Sequence, residues 1–105
     1  MNTFNEYQET TAKYRLNTYT PEACVMGFLS EAGEVAGVFQ KMIRGDYPPD
    51  VAMTKLYKEL GDCLWHLAQI AADNNWSLAE IASENINKLE SRQIRGKIIG
   101  AGDDR

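Results

Sequence analysis

Two stretches of this chain carry one pattern, 28 positions apart. In the first, Phe28, Ala32, Val35, Ala36, Phe39 and Ile43 recur at three- and four-residue steps; in the second, Leu56, Leu60, Cys63, Leu64, Leu67 and Ala71 recur at the same steps. At about 100° per residue, each set forms one apolar stripe along a helix. Sustained period-two alternation is absent, so the chain reads as all-α.

Start and stop signals divide the chain into four predicted helices. The first runs from about Phe4 to Leu16, carrying Phe4, Tyr7, Tyr14 and Leu16. The second begins with Thr20 as N-cap, Pro21 at the first helical position and Glu22 in the first turn, and continues to about Arg44 before GDYPPD breaks it. A third starts near Asp50, read as its N-cap, and continues to about Asp73, where the polar run Asp73, Asn74 and Asn75 stops it. Ser77 and Glu80 form an S-x-x-E capping box for a fourth, which ends near Arg95. GKIIGAGDDR, residues 96–105, holds three glycines and reads as a mobile tail. Short connections between four helices predict an antiparallel four-helix arrangement.

Beside each apolar stripe lies a pair of carboxylates. Glu31 and Glu59 fall at the edge of their stripes, and Glu34 and Asp62 lie about 60° further round, one turn along. Single E-x-x-E or E-x-x-D pairs are common on solvated helix faces. Their matched placement, each bracketing a glycine, sets these two apart. A mid-helix glycine costs about 1 kcal/mol relative to alanine, so Gly33 and Gly61 are expected to serve a close helix approach or to leave room for a ligand. Four carboxylates gathered where the two helices pack would raise one another's pKa, and a divalent cation resolves the conflict. All-oxygen ligation with no clustered Cys or His indicates Mg²⁺, Mn²⁺ or Ca²⁺ rather than zinc. Hydrolysis of a phosphate ester or phosphoanhydride is the matching chemistry.

The fourth helix adds an amide and two cations. Asn85 falls within the stripe of Leu78, Ile81, Ala82 and Leu89, where a buried amide needs partners. Lys88 and Arg92 follow on the same side and are placed to face the carboxylates or a phosphate held there. Charge favourable to a helix C-terminus accounts for them equally well when they are viewed alone. Lys41 lies two turns beyond Glu34 and is a weaker phosphate candidate. His66 reads as a satisfied structural residue, and Trp65 and Trp76 read as core or interface packing residues, with base stacking as the alternative.

Composition narrows the function classes. Fifteen acidic against eleven basic residues, a net charge of −4, argue against nonspecific nucleic-acid binding. No apolar run approaches the roughly 18 residues of a membrane span, and MNTFNEYQET lacks the regions of a signal peptide, which predicts a cytoplasmic protein. Cys24 and Cys63 have neither CxxC spacing nor a nearby Cys/His cluster, so they are expected to be buried free thiols.

Together LSEAGEVAGVFQKMIRGD and KELGDCLWHLAQIAADNNWSLAEIASENINKLESR resemble the MazG-like nucleotide pyrophosphohydrolases of the all-α NTP pyrophosphatase superfamily. The resemblance covers roughly residues 20–95. It rests on the carboxylate pairs at Glu31, Glu34, Glu59 and Asp62, with 24 residues between the pairs, and on N-x-x-K at Asn85 and Lys88. It implies a catalytic domain over residues 1–95 with a Gly-rich tail over 96–105. It further implies Mg²⁺-dependent hydrolysis of a nucleoside or deoxynucleoside triphosphate to the monophosphate and pyrophosphate, with Mn²⁺ as a substitute. Glu31, Glu34, Glu59 and Asp62 would hold the metal and orient or deprotonate the water. Lys88, Lys41 and Arg92 would neutralise the phosphates, and Asn85 would bond to ligand or to a ligating carboxylate. Family members form dimers or tetramers, and so short a chain gains core by doing likewise. The runners-up are a more selective relative, dUTPase-like, dCTPase-like or a phosphoribosyl-ATP pyrophosphatase, and a non-catalytic helical interaction module.

Overall fold

In a computed structural model that describes residues 3–105, the chain folds as four helices, α1 (Phe4–Ala12), α2 (Pro21–Arg44), α3 (Pro49–Asp73) and α4 (Leu78–Ile94), with no strand among the described residues. The first two residues of the expected domain lie outside the described residues.

Most boundaries follow from local chemistry. Thr3, Thr20 and Ser77 accept through their hydroxyls from the backbone N–H three residues on, satisfying donors that the helix itself leaves unpaired. Gly45 ends α2 with φ 92°, a left-handed conformation that costs glycine little, and Asp46 N donates back to the Lys41 carbonyl at 2.9 Å. Asn75 does the same after α3 with φ 58°, and Trp76 N donates to the Ala71 carbonyl at 2.9 Å.

Two boundaries differ from expectation. Helix α3 starts at Pro49, not at an Asp50 cap: Pro48 is the N-cap and supplies no side-chain bond, because Pro49 at the first helical position has the right φ and no N–H to satisfy. Asp50 sits instead in the first turn, where its charge favours the helix dipole. Helix α1 stops at Ala12 rather than Leu16. Arg15 leaves the helical path to bind the Asp73 carboxylate through Nη1 at 2.6 Å and Nη2 at 3.0 Å.

Helices α2 and α3 form a long hairpin and pack along each other, α1 packs on α3, and α4 touches α1 and α3 but not α2. The four helices therefore do not close around one core within a single chain. Gln69, almost fully buried, donates to Thr11 Oγ1 at 3.0 Å and ties α1 to α3. Gln8 binds the α3–α4 turn twice, donating to the Trp76 carbonyl and accepting from Leu78 N, both at 2.9 Å. The apolar core is small: Cys24, Val38, Ala52, Ala68, Ala71 and Leu78. The expected stripes are covered only in part within one chain: Ala71 is buried, Phe28, Ala32, Val35, Leu56, Cys63 and Leu64 are half-buried, and Ala36, Phe39, Ile43, Leu60 and Leu67 are exposed. The buried residues of helix α2 are instead Cys24 and Val38, on a neighbouring part of its apolar arc. Both cysteines are free, Cys24 buried and Cys63 half-buried.

After α4 the glycine-containing segment turns back on itself. Arg105 donates to the carbonyls of Lys97, Ile98 and Gly102 at 3.0, 2.9 and 2.7 Å. No helix is long and apolar enough to cross a membrane among the described residues.

Candidate functional site

Packing α2 on α3 brings Glu31, Glu59 and Asp62 together, each offering a carboxylate oxygen within 4.8 Å of the others. Glu34 is exposed one turn along α2 and stays outside that group, although its charge still acts on Glu59. Three of the four expected carboxylates therefore converge, two from α3 and one from α2.

Glu59 is the innermost. Its Oε2 is buried and has no hydrogen-bond partner. Burial pushes its carboxyl up most, followed by a hydrogen bond and like charge from Glu31 and then by the charges of Asp62 and Glu34. An orphaned, buried carboxylate oxygen in a cluster of acids fits a hard divalent cation, which takes oxygen ligands and offsets their repulsion.

Aromatic residues and a thiol surround the cluster. Burial and then the Asp62 charge raise the Tyr7 phenol, and burial leads the rise at Tyr19, with Cys24 and Glu31 adding to it. The Cys63 thiol is raised by burial and by Glu31, Glu59 and Asp62, which keeps it protonated and unreactive.

A chain of polar contacts fixes the backbone of Asp62. Arg15, held by Asp73, also donates through Nε at 3.1 Å and Nη2 at 2.8 Å to the carbonyl of Tyr19. Tyr19 Oη and His66 Nε2 lie 2.7 Å apart, and His66 Nδ1 lies 2.8 Å from the Asp62 carbonyl. A carbonyl only accepts, so Nδ1 carries the proton and Nε2 accepts from Tyr19. His66 is buried with both nitrogens used, as expected of a structural histidine, and Trp65 packs against it and Tyr19.

The glycines divide differently from expectation. A Cβ on Gly33 or Gly61 would meet nothing within 4 Å, so neither serves a close approach within the chain. Gly27 does: a Cβ there would run into Tyr19 Oη and would lie 2.7 Å from His66 Cδ2. Tyr19 and Gly27 carried no signal in the sequence, and Tyr7 only that of an apolar helix residue, because each matters at the site only through residues distant in the chain.

The phosphate candidates lie elsewhere. Lys41 is exposed near the end of α2, where its charge lowers the Asp46 carboxyl after the larger effects of Arg44. Asn85 is exposed, not buried within a stripe, because α4 does not bury that face in the single chain. With Lys88 and Ile81 it lines a cavity of about 510 Å³. Trp76, 57% exposed, lines it too and so is not packed in a core within the chain. Lys88 and Arg92 are both engaged by Asp103.

Comparison with known proteins places the chain in a family. The family model described as MazG nucleotide pyrophosphohydrolase domain matches residues 19–95. The chain is 40% identical over 85 residues to the Gene 37 protein of Mycobacterium phage L5, covering 76% of this chain and 72% of that one. No solved structure matches it.

Proposed function

The chain belongs to the MazG nucleotide pyrophosphohydrolase family, and from that premise we propose that it is a Mg²⁺-dependent enzyme that hydrolyses a nucleoside or deoxynucleoside triphosphate to the monophosphate and pyrophosphate. The observation that carries this reading is the convergence of Glu31, Glu59 and Asp62 around a buried Glu59 oxygen with no partner. These three would hold the cation, with Mn²⁺ as a substitute. When bound, the cation supplies charge neutralisation for phosphate oxygens and Lewis acidity toward water.

The chain's own groups then have distinct tasks. Glu34, beside the three ligands and exposed, orients the attacking water and accepts its proton. The water oxygen bonds to the α-phosphorus as the bond to the bridging oxygen breaks, and pyrophosphate leaves. The cations Lys88 and Arg92, with Lys41, neutralise the phosphates, and Asn85 donates to the nucleotide or to a carboxylate. Within one chain α4 does not touch α2, which supports assembly of two or more copies as the way these groups meet the carboxylates. The catalytic domain ends with α4, at about residue 95.

A screen of the common ribo- and deoxyribonucleoside triphosphates with Mg²⁺, reading pyrophosphate release, tests the proposal. Release is expected with at least one nucleotide and not when Mg²⁺ is chelated. No release with any nucleotide would leave a non-catalytic helical module as the better reading.

A further inference from the structure

The segment after α4 folds so that one carboxylate reaches the helix's cations. Gly96, Gly100 and Gly102 adopt φ of 68°, 149° and 89°, conformations that residues with a Cβ seldom take. Asp103 Oδ1 thereby accepts from Lys88 Nζ at 2.8 Å and from Arg92 Nη2 at 3.1 Å, and the Asp103 carbonyl also accepts from Arg92. Arg92 is only 6% exposed and its Nε has no partner, so this buried cation keeps unused donor capacity. Together with Ser91 and Arg95, these cations and the returning segment line a cavity of about 250 Å³.

A carboxylate oxygen shared by a lysine and an arginine presents the charge and acceptor geometry of a phosphate oxygen. We propose that Asp103 is an intramolecular competitor for the substrate's phosphates, occupying Lys88 and Arg92 until a polyphosphate displaces it. The proposal rests on the assignment of those two residues to phosphate made above. Displacement is cheap: Asp103 is exposed, and Ile98 and Ile99 of the same segment are exposed as well, so little apolar burial holds the segment down. A triphosphate brings several charged oxygens where Asp103 brings one. A site open only part of the time binds more weakly in proportion to the closed fraction.

Calorimetric titration of inorganic tripolyphosphate with Mg²⁺ into the 105-residue chain, Asp103→Asn and Lys88→Ala tests this. Asp103→Asn is expected to bind about fivefold more tightly, the scale of ion pairs whose carboxylate is exposed even though Arg92 is not. Lys88→Ala is expected to bind more weakly than the parent. Unchanged or weaker binding by Asp103→Asn, with Lys88→Ala impaired, overturns the competitor and leaves the phosphate assignment standing. Parental affinity in Lys88→Ala overturns the assignment, and the competitor with it.

Discussion

Glu59 is the residue at which the site's electrostatics concentrate. Burial, Glu31, Asp62 and Glu34 all disfavour its charge, so the folded chain holds its proton more tightly than the unfolded chain does. Without a cation, Glu59 therefore favours folding at low pH, and that contribution is lost as pH rises through its raised folded-state value. A cation needs the deprotonated form, so the rise in melting temperature on adding millimolar Mg²⁺ is expected to grow from acidic to neutral pH. Glu59→Gln is expected to raise the metal-free melting temperature at the upper end of that range and to erase the response to Mg²⁺. A Mg²⁺ response that stays flat with pH, or persists in Glu59→Gln, would remove Glu59 from the ligand set. Asp62 is exposed, so Asp62→Ala is expected to leave the fold intact while lowering pyrophosphate release by about a hundredfold or more. Full activity in that folded variant would contradict the site.

Among the elements, the α2–α3 hairpin owes its geometry to a close approach at Gly27 and to the polar chain from Asp73 through Arg15, Tyr19 and His66 to the Asp62 carbonyl. Gly27→Ala must displace Tyr19 or His66, and a loss of about 1–3 kcal/mol is expected. Gly33→Ala meets open space on the same helix and is expected to gain up to about 1 kcal/mol from helix propensity. Thermal denaturation separates the two, since 1 kcal/mol corresponds to about 4–8 °C in a domain this small; a similar shift in both variants would contradict the packing. The contrast also marks how far the sequence was legible. Helix number, the caps at Thr20 and Ser77 and the matched carboxylates were readable because each depends on residues within one or two turns. The significance of Gly27, the early end of α1 and the exposure of Asn85 depend on partners far along the chain or on faces left uncovered, which no local spacing records. The apolar arc of α2 was readable as an arc, whereas the division between Cys24 and Val38, turned inward, and Phe39 and Ile43, turned outward, is a property of packing.

The whole molecule has more surface than a compact chain of its mass. Its radius of gyration is 16.7 Å, against about 13 Å expected for a compact domain of this length. Its accessible surface is 7714 Å², against about 5,900 Å² for a typical monomer of this mass. The surplus, about 1,800 Å², is of the size that a large, obligate interface removes from each partner. Much of it is apolar: Val25, Met26, Leu29, Phe39 and Ile43 leave one side of α2 unpartnered, and Leu60 and Leu67 do so on α3. The same helices carry the carboxylates, while the cations of α4 do not reach α2, so one association would cover the apolar face and complete the site. Leu29 tests this, being 74% exposed. If the chain acts alone, Leu29→Glu should change stability by no more than about 0.5 kcal/mol, as surface substitutions do. If a second copy covers α2, a buried unpaired charge at the interface costs several kcal/mol. The parent is then expected to sediment as a dimer or tetramer, and Leu29→Glu as a smaller species with a lower melting temperature and little pyrophosphate release. A monomeric parent that releases pyrophosphate would show instead that α4 closes onto the carboxylates within one chain.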